Sequence, residues 1–215
     1  MRRRTFDFLA TCIGATLTVV LLVAGGLLLW GASFANDNVH NQLSKQQITF
    51  PPPSAFVNVK APAPGQFAEI TPSMIPSVSQ YAGQKLTTGE QARVYADDFI
   101  GNHLNQIGQG HPYSYWSGQA MSLPAGSAAA TAASSTADTL FKGTTLQGLL
   151  LEAYGFSVFG TIAGYAALAS FILAGIFFVL TLLGFLHFRK EEAKEPLLTA
   201  TTNVAPAKEK ELVNA

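Results

Sequence analysis

The chain has 215 residues, a formal net charge of zero, 12% charged residues and 48% hydrophobic ones. An ordinary soluble domain carries about 25% charged residues, so the deficit points to a membrane setting, and the lack of positive charge argues against a nucleic-acid partner. The one cysteine, Cys12, leaves no intrachain disulfide, and His40, His103, His111 and His187 are too scattered for the usual zinc spacings.

Arg2, Arg3 and Arg4 precede an apolar run from Phe8 to Trp30 that no charge interrupts after Asp7. Two readings compete. A secretory signal also has a basic start, and Ser33-Phe34-Ala35 would serve as its cleavage site, but its apolar region covers only about 7–15 residues. The run here is long enough to span a bilayer, so residues 1–33 are expected to form an uncleaved transmembrane helix. Cys12 is expected to face lipid or to pack.

Residues 34–138 follow as a mostly helical and irregular region. Between Gln46 and Pro76 lie seven prolines, including Pro51-Pro52-Pro53. Proline removes backbone donors, so 46–76 reads as extended chain wrapping over a surface. Thr87-Thr88-Gly89-Glu90-Gln91 is a capping-box pattern that starts a helix. Ala92, Tyr95, Ala96, Phe99, Ile100 and His103 then fall on one face, which predicts a helix over 89–107 ended by Gly108 and Gly110. His103, with Asp98 or His111, admits a metal-ligand reading; a packing histidine is the simpler one, since no HxxxH or HExxH spacing occurs. His111-Pro-Tyr-Ser-Tyr-Trp116 is an aromatic cluster fit for a half-wet surface or for burial. Residues 125–137 are nearly all Ala, Ser, Thr and Gly, and read as a linker with nothing large to bury.

Asp138 can cap a further helix, expected over 139–189. Leu146, Leu149, Leu150, Ala153 and Tyr154 make an apolar stripe on its first part. From Phe156 to Phe188 it carries no Asp, Glu, Lys or Arg, and its only ionisable groups are Tyr165 and His187. At about 1.5 Å per residue that stretch reaches roughly 50 Å, more than the ~30 Å hydrocarbon core, so part of the helix is expected to project as an arm. The arm offers the 89–107 helix a surface, with Tyr95 and Phe99 set against Leu146 and Leu150. Gly160, Ala163, Gly164 and Ala167 form a small-residue face in the apolar stretch; Ala10, Gly14 and Thr18 form another on the first helix. Such faces let helices approach closely in lipid. Residues 190–215 alternate Glu and Lys and read as a disordered tail.

The fold class expected is therefore all-α, a two-helix transmembrane hairpin with a small outer domain between the spans. Basic residues flank both spans, Arg2 to Arg4 on one side and Arg189, Lys190 and Lys194 on the other. Such residues stay cytoplasmic, which places both termini inside a plasma membrane and the central region outside it.

VAGGLLLWG in the first helix, YAGQKL and ARVYADDFIGNHLNQIGQGHPYSYWS, with the long final helix, carry a resemblance. The chain resembles small two-helix actinobacterial membrane proteins of unknown function that have often been labelled aromatic ring-opening dioxygenases. The resemblance implies a fold and a membrane setting. It implies no activity, because two histidines and a carboxylate suited to non-haem iron are not evident. A fainter likeness is to cofactor-free accessory subunits of actinobacterial respiratory supercomplexes. The function expected is that of a non-catalytic accessory or scaffold subunit, its partners the bilayer and a larger membrane complex, with no cofactor or small-molecule substrate. The alternative is a membrane-tethered enzyme or metal-binding outer domain using His103 and His111. A transport role is disfavoured, since an ion path needs ionisable residues within the spans.

Overall fold

A computed structural model describes residues 3–202. Within them the regular secondary structure is helical, joined by irregular segments of which the longest lies between Gln46 and Ile75, and one isolated antiparallel bridge pairs Thr49 with Lys85. Two long helices, α1 (Arg3–Gln46) and α6 (Ala128–Thr202), enclose a middle region. That region holds the short α2 (Ile75–Val78), α3 (Gly89–Val94), α4 (Gly101–Gly108) and α5 (Tyr113–Ser122). Thr5–Gln46 and Ala128–His187 are each long and apolar enough to cross a membrane, with mean hydropathies of 2.4 and 2.5 over their most apolar windows. The chain divides into two compact units, one of Met1–Trp30 with Gly164–Ala215, the other of Gly31–Ala163.

The first unit is an antiparallel helix pair. On α1 a row of shielded positions runs through Thr11, Gly14, Thr18, Leu21, Gly25 and Leu28; on α6 one runs through Ala167, Ser170, Ala174, Phe177, Thr181 and Gly184. Both series step by three and four residues in turn, a 3.5-residue period that keeps one seam facing a partner helix. Small residues bring the backbones together. Gly14 lies directly against Thr181, a Cβ at Gly25 would stand 2.9 Å from the Phe171 ring, and one at Gly184 would stand 3.1 Å from Thr11 Oγ1. The seam passes through Thr11 rather than Ala10, which is exposed, because the three-four step from Gly14 reaches 11 and not 10. Away from the seam Phe8, Val19, Val23, Leu27, Ile176, Phe178 and Leu183 stay exposed, as side chains facing lipid would.

The second unit has a conventional core. Val39 and Leu43 of α1, Phe50, Met74, Val78, Leu86, Ala92, Val94, Ala96, Ile100 and Leu150 of α6 are all buried together. The start of the proline-rich segment is tied into it by two backbone bonds: Phe50 N–H donates to Gln84 O and Leu86 N–H to Ile48 O, each at 2.9 Å. Phe50 then stacks its ring edge-on against Tyr95 at 5.2 Å. Thr88 caps α3 through a full capping box with Gln91, whose side chain accepts from the Thr88 backbone at 3.1 Å.

Between α3 and α4, Tyr95–Ile100 forms a π-helical turn, so helical chain runs from Gly89 to Gly108. Ala92, Ala96 and Ile100 are all buried at a spacing of four. In an ideal α-helix that spacing drifts about 40° per step, and a wider turn cancels the drift. The turn's carbonyls find side-chain donors: Gln147 Nε2 donates to Ala96 O at 3.0 Å and Asn102 Nδ2 to Asp98 O at 2.6 Å.

Three expected boundaries differ from those observed. α1 does not stop near 33 but continues to Gln46, because Ala32, Ala35, Val39 and Leu43 extend its apolar stripe through otherwise polar sequence. α6 starts at Ala128, so most of the stretch expected as a 125–137 linker is helix. Alanine is the strongest helix former, Ser127 Oγ accepts from Ala130 N–H at 3.1 Å, and Ala130, Ala133 and Ala137 are small enough to be buried where larger side chains would not fit. At its other end α6 continues to Thr202, through Lys, Glu and Ala that favour helix. The remainder of the expected disordered tail, 203–215, lies outside the described residues.

Candidate functional site

The second unit pairs the last turns of α1 with the middle of α6, and this pairing leaves one face of each helix unfilled. Val39 and Leu43, four residues apart, turn inward with Leu150. Beside them runs a groove of about 500 Å³. Leu43, Leu150 and Ala153 floor it, and Asn38, Gln42, Gln46 and Glu152 contribute its polar groups. Leu146, Leu149 and Phe156 also line it and remain 38%, 58% and 41% exposed. Glu152 is the one carboxylate in this lining and stands among apolar and amide side chains.

The residues singled out for outer packing fall on different sides of this wall. Leu150 is buried at 2% exposure, and Tyr95 and Phe99 pack half-buried against the core, their rings 4.9 Å apart. Leu146, one turn before Leu150 on the same side of α6, lines the groove and stays 38% exposed, outside the buried cluster that holds Leu150. That stretch meets α6 at Gly143, against which Leu104 packs, and at Gly89, which sits against Ser157. In this unit Gly160 closes on α1: a Cβ there would stand 3.0 Å from Ala35 Cβ and 3.4 Å from Ala32 O. Ala163 is half-buried. In the first unit Gly14 meets Thr181, Ala167 is buried and Gly164 is half-buried.

The charged side chains in ion pairs among the described residues are spread over the surface of this unit. Arg93 donates to Glu90 at 2.6 Å, reaches Asp97 at 3.9 Å and lies over the Tyr154 ring at 5.9 Å. The Glu90 hydrogen bond is the main cause that raises its pKa. Burial pushes the Tyr95 phenol above its ordinary range, with the Glu69 carboxylate adding to the effect. His103 Nδ1 pairs with Glu69 at 3.7 Å, both about half exposed, and His111 stacks on Tyr115 at 3.9 Å between centroids. Among the described residues no three His, Cys, Asp or Glu side chains gather where they could hold a metal ion. α5, which the sequence reading did not place, carries Tyr115 and Trp116; the Trp116 indole N–H donates to Gly108 O at 2.9 Å and locks the loop before it.

No protein-family model, no curated protein and no solved structure matches this chain.

Proposed function

We propose that the protein is a non-catalytic integral membrane subunit that accompanies a larger membrane complex. The observation that carries this is the groove with Leu146, Leu149 and Phe156 along it. Burying an apolar side chain of this size is worth about 1.5–3 kcal/mol. Three of them lined up beside a single carboxylate favour a partner's packing surface over open water. The two apolar helices supply the anchor, and the basic residues flanking them favour both termini on the cytoplasmic side with residues 34–138 outside. A respiratory complex is the partner class that the fainter resemblance implies. An enzymatic or metal-binding role for His103 and His111 draws no support from their placement, one beside Glu69 and the other stacked on Tyr115.

The test is site-specific photo-crosslinking in intact cells, with a photoreactive residue in place of Leu149 and, as the control about 22 Å away along α6, in place of the exposed Ser134. A discrete, stoichiometric adduct from position 149 and none from position 134 supports the accessory role. Indiscriminate or absent crosslinking at 149 contradicts it.

A further inference from the structure

A second hollow of the Gly31–Ala163 unit differs in chemistry from the groove. It opens where α4, the loop before α5, and α6 meet, and its volume is about 560 Å³, within the range of roughly 300–1,000 Å³ usual for small-ligand sites. Leu104, Pro112 and Leu140 are its apolar lining. Asn105, His111, Tyr113, Ser114, Thr144 and Gln147 supply the rest of the chemistry. No Asp, Glu, Lys or Arg lines it.

The loop that forms one wall is held rigidly. Gly110 N–H donates to Asn105 O and His111 N–H to Gly108 O, both at 2.9 Å, while the Trp116 indole clamps Gly108 O from the other side. Gln109 and Gly110 both sit in the left-handed region, at φ 51° and 78°. Glycine takes that conformation freely, but glutamine does not, so the surrounding bonds maintain a local strain. A Cβ at Gly110 would run into the Phe67 ring, 2.6 Å away, which fixes the loop from outside. The His111 ring is fixed in turn by its stack on Tyr115. Tyr113 is 43% exposed, and its ring leans on Phe141 at 5.7 Å.

We propose that this hollow binds a neutral saccharide. Amide and hydroxyl side chains both donate and accept, as sugar hydroxyls do, and an exposed tyrosine ring offers an apolar face to a pyranose. A phosphate or carboxylate would lose hydration there without meeting a lysine or arginine. The preformed loop spares a ligand the entropy of ordering it. The inference goes beyond the accessory role and does not rest on it.

Saturation-transfer NMR on the full-length protein in nanodiscs, free of sugar-headed detergent, tests it. The probes are maltotriose, cellotriose and N,N′,N″-triacetylchitotriose, with glucose 6-phosphate and an uncharged tetrapeptide for comparison. At least one neutral trisaccharide should give a saturable signal below about 10 mM, the weak-binding range. Tyr113→Ala and Asn105→Ala should each weaken it tenfold or more. Thr144→Ala, which removes an exposed hydroxyl and the methyl beside it, should weaken it several-fold in a protein that folds as the parent does. Absence of saturable binding by all three sugars overturns the proposal, as does binding indifferent to Thr144→Ala and Asn105→Ala. Preferential binding of the tetrapeptide overturns it in favour of a peptide site.

Discussion

Leu150 and Leu149 are neighbours in sequence with opposite surroundings, and truncating each to alanine separates packing from helix propensity. Leu150 is 2% exposed in a core with Val39, Leu43 and Ile100, whereas Leu149 is 58% exposed. Alanine is at least as good a helix former as leucine, so α6 itself should not suffer. At position 150 the change removes buried methyl groups and leaves a cavity between helices that cannot fully collapse, at a cost of roughly 2–5 kcal/mol. At about 1.4 kcal/mol per factor of ten, that raises the open population of this unit between roughly 30-fold and a few thousand-fold. At position 149 the cost should stay within about 0.5 kcal/mol. Amide hydrogen exchange over 89–108 reads the difference directly: Leu150→Ala should accelerate it by those factors and Leu149→Ala by little. Equal protection in the two variants would refute the packing of the 89–108 stretch against α6.

The Tyr95 phenol gives this unit an alkaline limit. Its folded pKa is raised above the ordinary value of 10.0 by burial first and by Glu69 second. The neutral form is therefore the one the fold favours, its contribution is complete below about pH 10, and it is lost as pH rises through the folded value. Unfolding followed against pH should show a loss of stability above 10 that Tyr95→Phe removes; a loss unchanged in that variant would assign it elsewhere. In the other unit Thr181 Oγ1 is buried against Gly14 without a hydrogen-bond partner. Thr181→Val keeps the shape and removes the orphaned hydroxyl, so it should stabilise the helix pair by about 1–3 kcal/mol in thermal unfolding; destabilisation would mean that the hydroxyl is bonded.

How much of this could be read beforehand depends on what kind of signal each element carries. The two spans announce themselves through long charge-free runs, and the start of α3 through Thr88 and Gln91, because capping needs those residue types at that spacing. The continuation of α1 past Asn36 was harder to read, since only Val39 and Leu43 in a polar stretch mark the side that touches the core. The alanine-rich start of α6 was misleading for the opposite reason. Small side chains suggest nothing to bury, yet Ala130, Ala133 and Ala137 are buried because they are small. The π turn has no local signature at all; it follows from Ala92, Ala96 and Ile100 having to share one wall. As for the candidate site, Leu150 was legible as core, but whether Leu146 faced core or groove depended on where the 89–108 stretch ends on α6. No periodicity encodes that.

In the topology we propose, two spans place the central region on the outer side of the membrane. In a Cys12→Ala background, a cysteine replacing the exposed Ala125 and another replacing Ala207 test it together in intact cells with a membrane-impermeant maleimide. Labelling is expected at 125 without permeabilisation and at 207 only after it. Labelling at 207 in intact cells, or at 125 only after lysis, would contradict it.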